Sequence, residues 1–290
     1  MEKIKQWFIA CRGYSLPMSI LCFLTAFTYC YLNKGNIFYG FLAFVAIIFV
    51  HLGVNLYDDF IDTILKTPKQ KCKTEYLDKN IFSLKHILWG FIIYFFFASL
   101  IGIFFIYKIG FEILYLVVPT IIISLLYPKL SHYVPSEFFI SLIFGPLMFE
   151  GISVVMLNRF DFDLFLISIP ISILVGVVAM VHSFMDLDFD KVSGKKTYPS
   201  LFKTKNSAII GIISLIIFVY FYTFWLVFDG IISFIALFSL ISIYFLIKLQ
   251  KSMQKYIEEK EDSAFLPNFM LCQRIFILYT VIIIISLMVS

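Results

Sequence analysis

The sequence predicts an all-α, polytopic membrane protein, and three observations carry that reading. Of 290 residues, 61% are hydrophobic and only 14% are charged, where a soluble domain would have roughly 25% charged; the mean hydropathy is +0.95. The apolar residues gather into nine stretches, at roughly 14–32, 37–57, 83–107, 110–127, 136–157, 163–185, 207–228, 230–247 and 267–289, each near the ~20 residues that cross ~30 Å of hydrocarbon. All but Lys34, Lys108 and Arg159 of the 23 Lys and Arg residues fall in alternate connections, on one side. That asymmetry places the N-terminus in the cytoplasm and the C-terminus outside, in a multi-pass protein of the cell inner membrane. The chain reads as one membrane domain, 1–290.

Residues 1–13 read as a short interfacial helix with Trp7 and Phe8 at headgroup level, leading without a cleavable signal into the first span. Pro17 sits in that span's first turn, where a missing N–H costs nothing. The second span ends in Asn55-Leu56-Tyr57-Asp58-Asp59-Phe60-Ile61-Asp62. On a helix, Asn55, Asp58/Asp59 and Asp62 share one face. Stacked carboxylates repel, so the face needs a partner: either the lysines that follow it, beginning with Lys66 and Lys69, or a divalent cation such as Mg²⁺, for which carboxylate and amide oxygens are suitable ligands. The lysine-rich loop over 63–82, with a break at Thr67-Pro68, is either a solvated charge run or an anion-binding cap above these acids.

The fourth span closes at Tyr127-Pro128, before a link carrying Lys129, His132 and Tyr133. In the fifth, Phe144-Gly145-Pro146-Leu147 predicts a kink that makes room inside the bundle. Glu150 is a lone acid in an apolar run, either functional or bonded between helices. The sixth span ends in the most informative stretch, His182-Ser183-Phe184-Met185-Asp186-Leu187-Asp188-Phe189-Asp190-Lys191-Val192-Ser193-Gly194-Lys195-Lys196-Thr197-Tyr198. His182, Asp186 and Asp190 share a helical face and Asp188 points away. An acid face followed by a basic cap thus occurs twice, once in each half. Lys248–Asp262 reads as a mixed-charge, helix-prone cytoplasmic connector with a solvated face, and Arg274 and Gln273 are weaker candidates for a contact.

The five cysteines have no metal-ligand spacing and suggest no disulfide framework. No P-loop, HExxH, CxxC, Ser-His-Asp spacing or nucleic-acid signature occurs, and no obligatory protein partner is implied. Two carboxylate faces that could hold Mg²⁺, each beside lysines and above an apolar bundle, suit a diphosphate group carrying a long hydrocarbon tail. Metals and ammonium groups would neutralise the phosphate oxygens and the charge that grows as a C–O bond breaks. This points to an isoprenyl diphosphate donor.

Four collinear segments resemble the UbiA superfamily of intramembrane prenyltransferases, closest to its MenA-type branch: Arg12-Gly13-Tyr14-Ser15-Leu16-Pro17, the run Asn55–Asp62, the region from Tyr127-Pro128 to Phe144-Gly145-Pro146-Leu147, and the run Asp186–Thr197, which is similar to the second signature D-x-x-x-D-x-x-x-G-K-x-T. The resemblance spans most of residues 12–200. It implies a nine-helix bundle around a central cavity and Mg²⁺-dependent transfer of a polyprenyl group from its diphosphate to an aromatic acceptor. Asn55, Asp59, Asp62, Asp186 and Asp190 match the metal and diphosphate positions, with Asp58 as a shifted alternative. Arg12, Lys191, Lys195 and Lys196 would contact phosphate, joined by Lys66 from the first basic cap, and Tyr127 would lie at the reactive end of the chain. In the MenA-type branch the acceptor is 1,4-dihydroxy-2-naphthoate, on the way to menaquinone. His182, Ser183 and Met185 stand where that branch usually has an Asn pair and an Arg. The alternatives are another acceptor (a 4-hydroxybenzoate-like acid, a lipid glycerol ether, a porphyrin) or a cation-binding transporter. Acids at the ends of spans, with no matching polar path on the far side, weigh against transport.

Overall fold

The computed structural model describes residues 2–65, 75–78, 81–259 and 265–289. Its principal helices are α1 (Glu2–Ala10), α2 (Leu16–Leu32), α3 (Ile37–Ile64), α4 (Glu75–Asp78), α5 (Leu84–Ile109), α6 (Leu114–Leu130), α7 (Ser136–Leu142), α8 (Met148–Leu157), α9 (Phe162–Met185), α10 (Leu187–Ser193), α11 (Lys205–Phe228), α12 (Ile243–Glu259) and α13 (Phe265–Val289), with no strand among the described residues. Nine segments among those residues are long and apolar enough to cross a membrane, and each falls on one of the nine predicted stretches. The fold is all-α and polytopic, as expected.

Burial separates the helices by role. In α9, 72% of the most apolar window is buried, against 11% in α5, so α9 is the central post and α5 is sheathed in lipid. The α9 sequence is apolar all round, as a helix with neighbours on every side must be. Ile167, Ile171, Leu174 and Val178 pack into one core with Ile212 and Ile216 of α11 and Ile275 and Tyr279 of α13. Helices α11 to α13 therefore buttress α9 from one side, leaving its other side for the remaining spans.

Between α7 and α8 the chain makes a π turn over Ile143–Leu147, with Gly145 at non-helical angles (φ −105°, ψ −109°). Pro146 has no N–H to give to a regular ladder, and one wide turn absorbs the defect. Gly145 touches α9 so closely that a Cβ there would lie 2.1 Å from Cβ of Ser172. The kink predicted from Gly-Pro is thus present, and the glycine is needed for the approach to α9.

Three placements go beyond what the sequence predicts. Trp7 is half-buried: Nε1 donates to the Tyr94 hydroxyl at 3.1 Å, and the ring packs edge-on against Phe82 over Gly90, where a Cβ would come within 2.6 Å of it. Gly90 thus lets α1 lie against α5, while Phe8, 51% exposed, faces outward. The helix-prone stretch from Lys248 is the end of α12, which runs to Glu259; Lys248, Lys251 and Lys255 form its exposed face, while Leu249 and Met253 on the other face are fully buried. Arg274 lies over the Phe245 ring, away from the acids.

Glu150 is tied to the loop that follows α8. Its Oε2 accepts from the Asp161 N–H at 3.0 Å, and Asp161 also accepts from the Tyr29 hydroxyl at 2.7 Å and from Arg159 at 3.0 Å. This network seals the loop between α8 and α9. Asp161 titrates below the usual carboxylate range: burial alone would raise it, but the hydrogen bonds from Tyr29, the Leu164 N–H and Arg159 outweigh burial.

Gly145→Val is expected to destabilise the protein by ~1–3 kcal/mol, the usual range for overpacking a tight contact. Thermal unfolding in detergent micelles checks this; an unchanged Tm would contradict the close contact between Gly145 and α9.

Candidate active site

The first acid face is built where α1 ends and α3 passes beneath it. Arg12 adopts a left-handed backbone conformation (φ 50°, ψ 41°), a region uncommon for a residue with a Cβ. Two hydrogen bonds from Ser15, backbone N–H at 2.8 Å and hydroxyl at 2.7 Å, hold the Arg12 carbonyl in that pose. The turn aims the guanidinium at α3, where Nη2 donates to Asp58 Oδ2 at 2.7 Å and Asp59 Oδ1 at 2.8 Å. Burial by itself disfavours the guanidinium charge, but Asp59 and Asp58 override it and hold Arg12 well above its ordinary pKa. The other Asp59 oxygen, Oδ2, accepts from the hydroxyl of Tyr76 on α4. Burial first, then the charge of Asp59, raises that phenol. Asn55 donates its side-chain amide to the Cys11 carbonyl at 3.0 Å, tying α3 to the end of α1; burial pushes the Cys11 thiol up to about 11.

The second acid face begins where α9 breaks. His182 Nδ1 lies 3.3 Å from Asp186 Oδ2, and the backbone continues through α10, with the Asp190 N–H donating to the Asp186 carbonyl at 2.9 Å. Gly194 stops α10 at φ 73°, and its carbonyl meets His132 Nδ1 at 3.2 Å. The turn sends Lys195 back into the bundle, where Nζ reaches both oxygens of Asp62 at 3.2 and 3.3 Å. That bond spans 133 residues and joins the two faces into one site. Asp188 points outward to Lys205 at 3.4 Å, as the helical phase predicts.

A cavity of about 660 Å³ opens beneath these groups. Of the residues singled out by the sequence, Arg12, Asn55, Asp58, Asp62, Tyr127, Asp186, Asp190 and Lys195 line it. Asp59 is set back behind Arg12 and Tyr76 and braces the guanidinium. Lys191 and Lys196 are solvent-exposed outside the cavity; Lys196 contributes its backbone instead, its N–H donating to the Ser131 carbonyl. Lys66, with the rest of the loop from 66 to 74, lies outside the described residues. Among the described residues, four carboxylates face the cavity against two cationic side chains, Arg12 and Lys195. Deeper in, the wall is hydrocarbon, with Val50, Val54, Phe95, Leu116, Val117 and Phe144.

Sequence reasoning passed over three contributors. His51, one turn before Asn55, lines the cavity and is clasped by Ser15 Oγ at 2.8 Å on Nε2 and Ser19 Oγ at 2.6 Å on Nδ1. Since the Ser15 hydroxyl donates to the Arg12 carbonyl, it must accept from His51, so Nε2 carries the proton and Nδ1 accepts from Ser19. A histidine in an apolar span was its one signal. Tyr76 had none, because its partner Asp59 is reached only through a chain reversal. Glu137, fully buried at the start of α7, accepts from the Tyr198 N–H at 3.0 Å; an acid beside a proline at a span's start reads as a helix cap.

Acid pairs on two helix ends, joined across a cavity that continues as hydrocarbon, form an arrangement with known relatives. The profile of the UbiA prenyltransferase family matches residues 19–277. The chain belongs to that family. Solved structures of the same fold include a digeranylgeranylglyceryl phosphate synthase (16% identity, all of both chains covered, TM-score 0.67). They also include an apo UbiA homologue from Aeropyrum pernix K1 (16% identity, 93% of this chain and 97% of that one, TM-score 0.68). A third, from Archaeoglobus fulgidus and bound to GPP and Mg²⁺, has 13% identity, with 96% of this chain and 99% of that one covered and a TM-score of 0.57. No curated protein sequence matches this one. The UbiA family is one of prenyltransferases, and this member is an enzyme of that class.

A double-mutant cycle of Arg12→Gln and Asp59→Asn, read by thermal unfolding of the purified protein, is expected to give a coupling of about 0.5–3 kcal/mol, as for other contacting charged pairs. Additive losses would contradict the clamp.

Proposed function

We propose that the protein transfers a polyprenyl group from its diphosphate to an aromatic acceptor in an Mg²⁺-dependent reaction, with 1,4-dihydroxy-2-naphthoate, and hence menaquinone synthesis, as the preferred acceptor reading. The observation that carries the donor half is the gathering of four carboxylates, Asp58, Asp62, Asp186 and Asp190, with Arg12 and Lys195 at the mouth of a hydrocarbon cavity. Divalent cations brought with a diphosphate would bridge its oxygens to such carboxylates. The donor set fits Mg²⁺: Asp58, Asp62, Asp186 and Asp190, with Asn55, are hard oxygen ligands, and Asp59 stands behind them. Among the described residues no three His, Cys, Asp or Glu side chains form a ready metal cage. Mg²⁺ is usually held by one or two carboxylates plus substrate phosphates and water. When bound, Mg²⁺ would neutralise phosphate charge and so ease departure of the diphosphate.

The remaining work falls to the chain's own residues. Arg12 and Lys195, now bonded to carboxylates, are the cations positioned to turn toward phosphate oxygens once those carboxylates are otherwise engaged. Val50, Val54, Phe95 and Leu116 hold the prenyl tail and keep water from the allylic carbon as its C–O bond breaks. Tyr127 lines the same cavity, and its ring would stabilise the allylic carbon as it becomes positive. The acceptor reading is supported by the four segments that resemble the MenA-type branch. The lopsided Lys and Arg distribution supports a cytoplasmic mouth and N-terminus in the cell inner membrane.

Asp62→Ala and Asp186→Ala are each expected to lower transfer from geranylgeranyl diphosphate below detection in membranes, and EDTA is expected to do the same to the native protein. Full activity under any of these conditions would contradict the donor site. The acceptor is tested by offering 1,4-dihydroxy-2-naphthoate, 4-hydroxybenzoate and a glycerol ether with geranylgeranyl diphosphate and Mg²⁺, read by mass spectrometry. A prenylated naphthoate product that has lost CO₂ is expected; a product with another acceptor alone would replace that part of the reading.

A further inference from the structure

Glu137 is an ionisable side chain with no part in the donor site. It is fully buried, in the first turn of α7, where a carboxylate is costly inside a membrane protein unless its oxygens are engaged. Oε2 accepts from the Tyr198 N–H at 3.0 Å. Oε1 has no hydrogen-bond partner among the described residues. Its polar neighbours include the hydroxyls of Ser136 and of Ser183, on α9. Both serines line the cavity, as do Tyr127, Ser131 and Thr197. The cavity thus has a hydroxyl-rich wall beside the acid mouth, with one open carboxylate oxygen behind it.

We propose that this wall receives the hydroxyl group of the acceptor and that Glu137 takes up its proton through Ser183. The inference rests on the prenyl-transfer reading above and supplies the proton acceptor that the donor site lacks. Asp58, Asp62, Asp186 and Asp190 are occupied by cations in that reading, whereas Glu137 is held by the Tyr198 N–H and neighbours the hydroxyls of Ser136 and Ser183. The acceptor O–H gives its proton to Ser183 Oγ while the Ser183 proton passes to Glu137 Oε1, leaving a neutral carboxylic acid. The electron pair so freed on the acceptor forms the new bond to the allylic carbon, through oxygen in an alcohol or through a conjugated ring carbon in a phenol. The allylic C–O bond breaks, and its electron pair leaves with the diphosphate. After attack through a ring carbon, loss of H⁺ or CO₂ from that carbon restores the aromatic ring and leaves the oxygen as a phenolate, which takes up a proton from water. Glu137 returns its proton to water once the products have gone. The ligand class is an acceptor bearing a free hydroxyl beside, or conjugated with, its point of attachment.

The test uses Glu137→Gln and Ser183→Ala in the full-length purified protein. Glutamine keeps an oxygen for the Tyr198 N–H but takes no proton. The substrates are geranylgeranyl diphosphate with the acceptor that the native protein prenylates in the screen above, and a fluorinated derivative of that acceptor with a more acidic hydroxyl. With the ordinary acceptor, kcat is expected to fall ~10²-fold or more in each variant, the range for loss of general-base assistance, while KM for the prenyl diphosphate stays unchanged. With the fluorinated acceptor, most of that loss is expected to be recovered. A kcat near native in Glu137→Gln, or an equal loss with both acceptors, overturns the proposal and leaves the donor site standing. If Glu137→Gln does not fold, the same comparison in Ser183→Ala decides. A native protein that prenylates none of the acceptors overturns the prenyl-transfer reading, and this inference with it.

Discussion

Two cations hold this site together, and each answers a carboxylate that the bundle could not otherwise bury. Arg12 spans Asp58 and Asp59 on α3, and Lys195 crosses from the turn after α10 to Asp62. Charges this far from bulk water persist only when paired and hydrogen-bonded, so the helices that carry them are fixed relative to one another. Much of the local architecture follows from that need. Arg12 takes a left-handed backbone, Ser15 and His51 brace it, and Gly194 turns the chain so that Lys195 points inward.

The same pairing leaves the mouth able to change partners. Both cations are bonded to residues that offer oxygen ligands for a divalent ion, so an incoming metal–diphosphate would compete for the carboxylates and release the guanidinium and ammonium toward phosphate. Affinity would then depend on metal and diphosphate together. Tyr76 and Asp59 sit behind this exchange. They keep Arg12 oriented whichever partner it has.

The nine spans and both acid faces could be read from the sequence because they rest on local signals: hydropathy over ~20 residues and the i, i+4 phase of a helix. Asp188 was separated from Asp186 and Asp190 by that phase alone, and the structure turns it outward to Lys205. What could not be read depends on chain reversals. Lys191, Lys195 and Lys196 are equivalent in composition, and only the left-handed turn at Gly194 selects Lys195 for the cavity. The role of His51 requires knowing that the motif serine Ser15 lies against it. Glu150 and Glu137 look alike as isolated acids, yet one closes the loop at Asp161 and the other stands beside the cavity serines. The seat of Trp7 over Gly90 likewise depends on a contact between helices that no local signal shows.

The exchange of partners at Arg12 and Lys195 is tested most directly by binding without turnover. Isothermal titration of the native protein with the unreactive S-thiolo analogue of geranylgeranyl diphosphate, in Mg²⁺ and in EDTA, measures whether donor and metal depend on each other. The expected result is tight binding in Mg²⁺, weak or none in EDTA, and a gain in Mg²⁺ affinity with analogue equal to the gain in analogue affinity with Mg²⁺, as linkage requires. Equal affinity with and without the metal would contradict it, because the carboxylates would then have kept their cations while the diphosphate bound elsewhere.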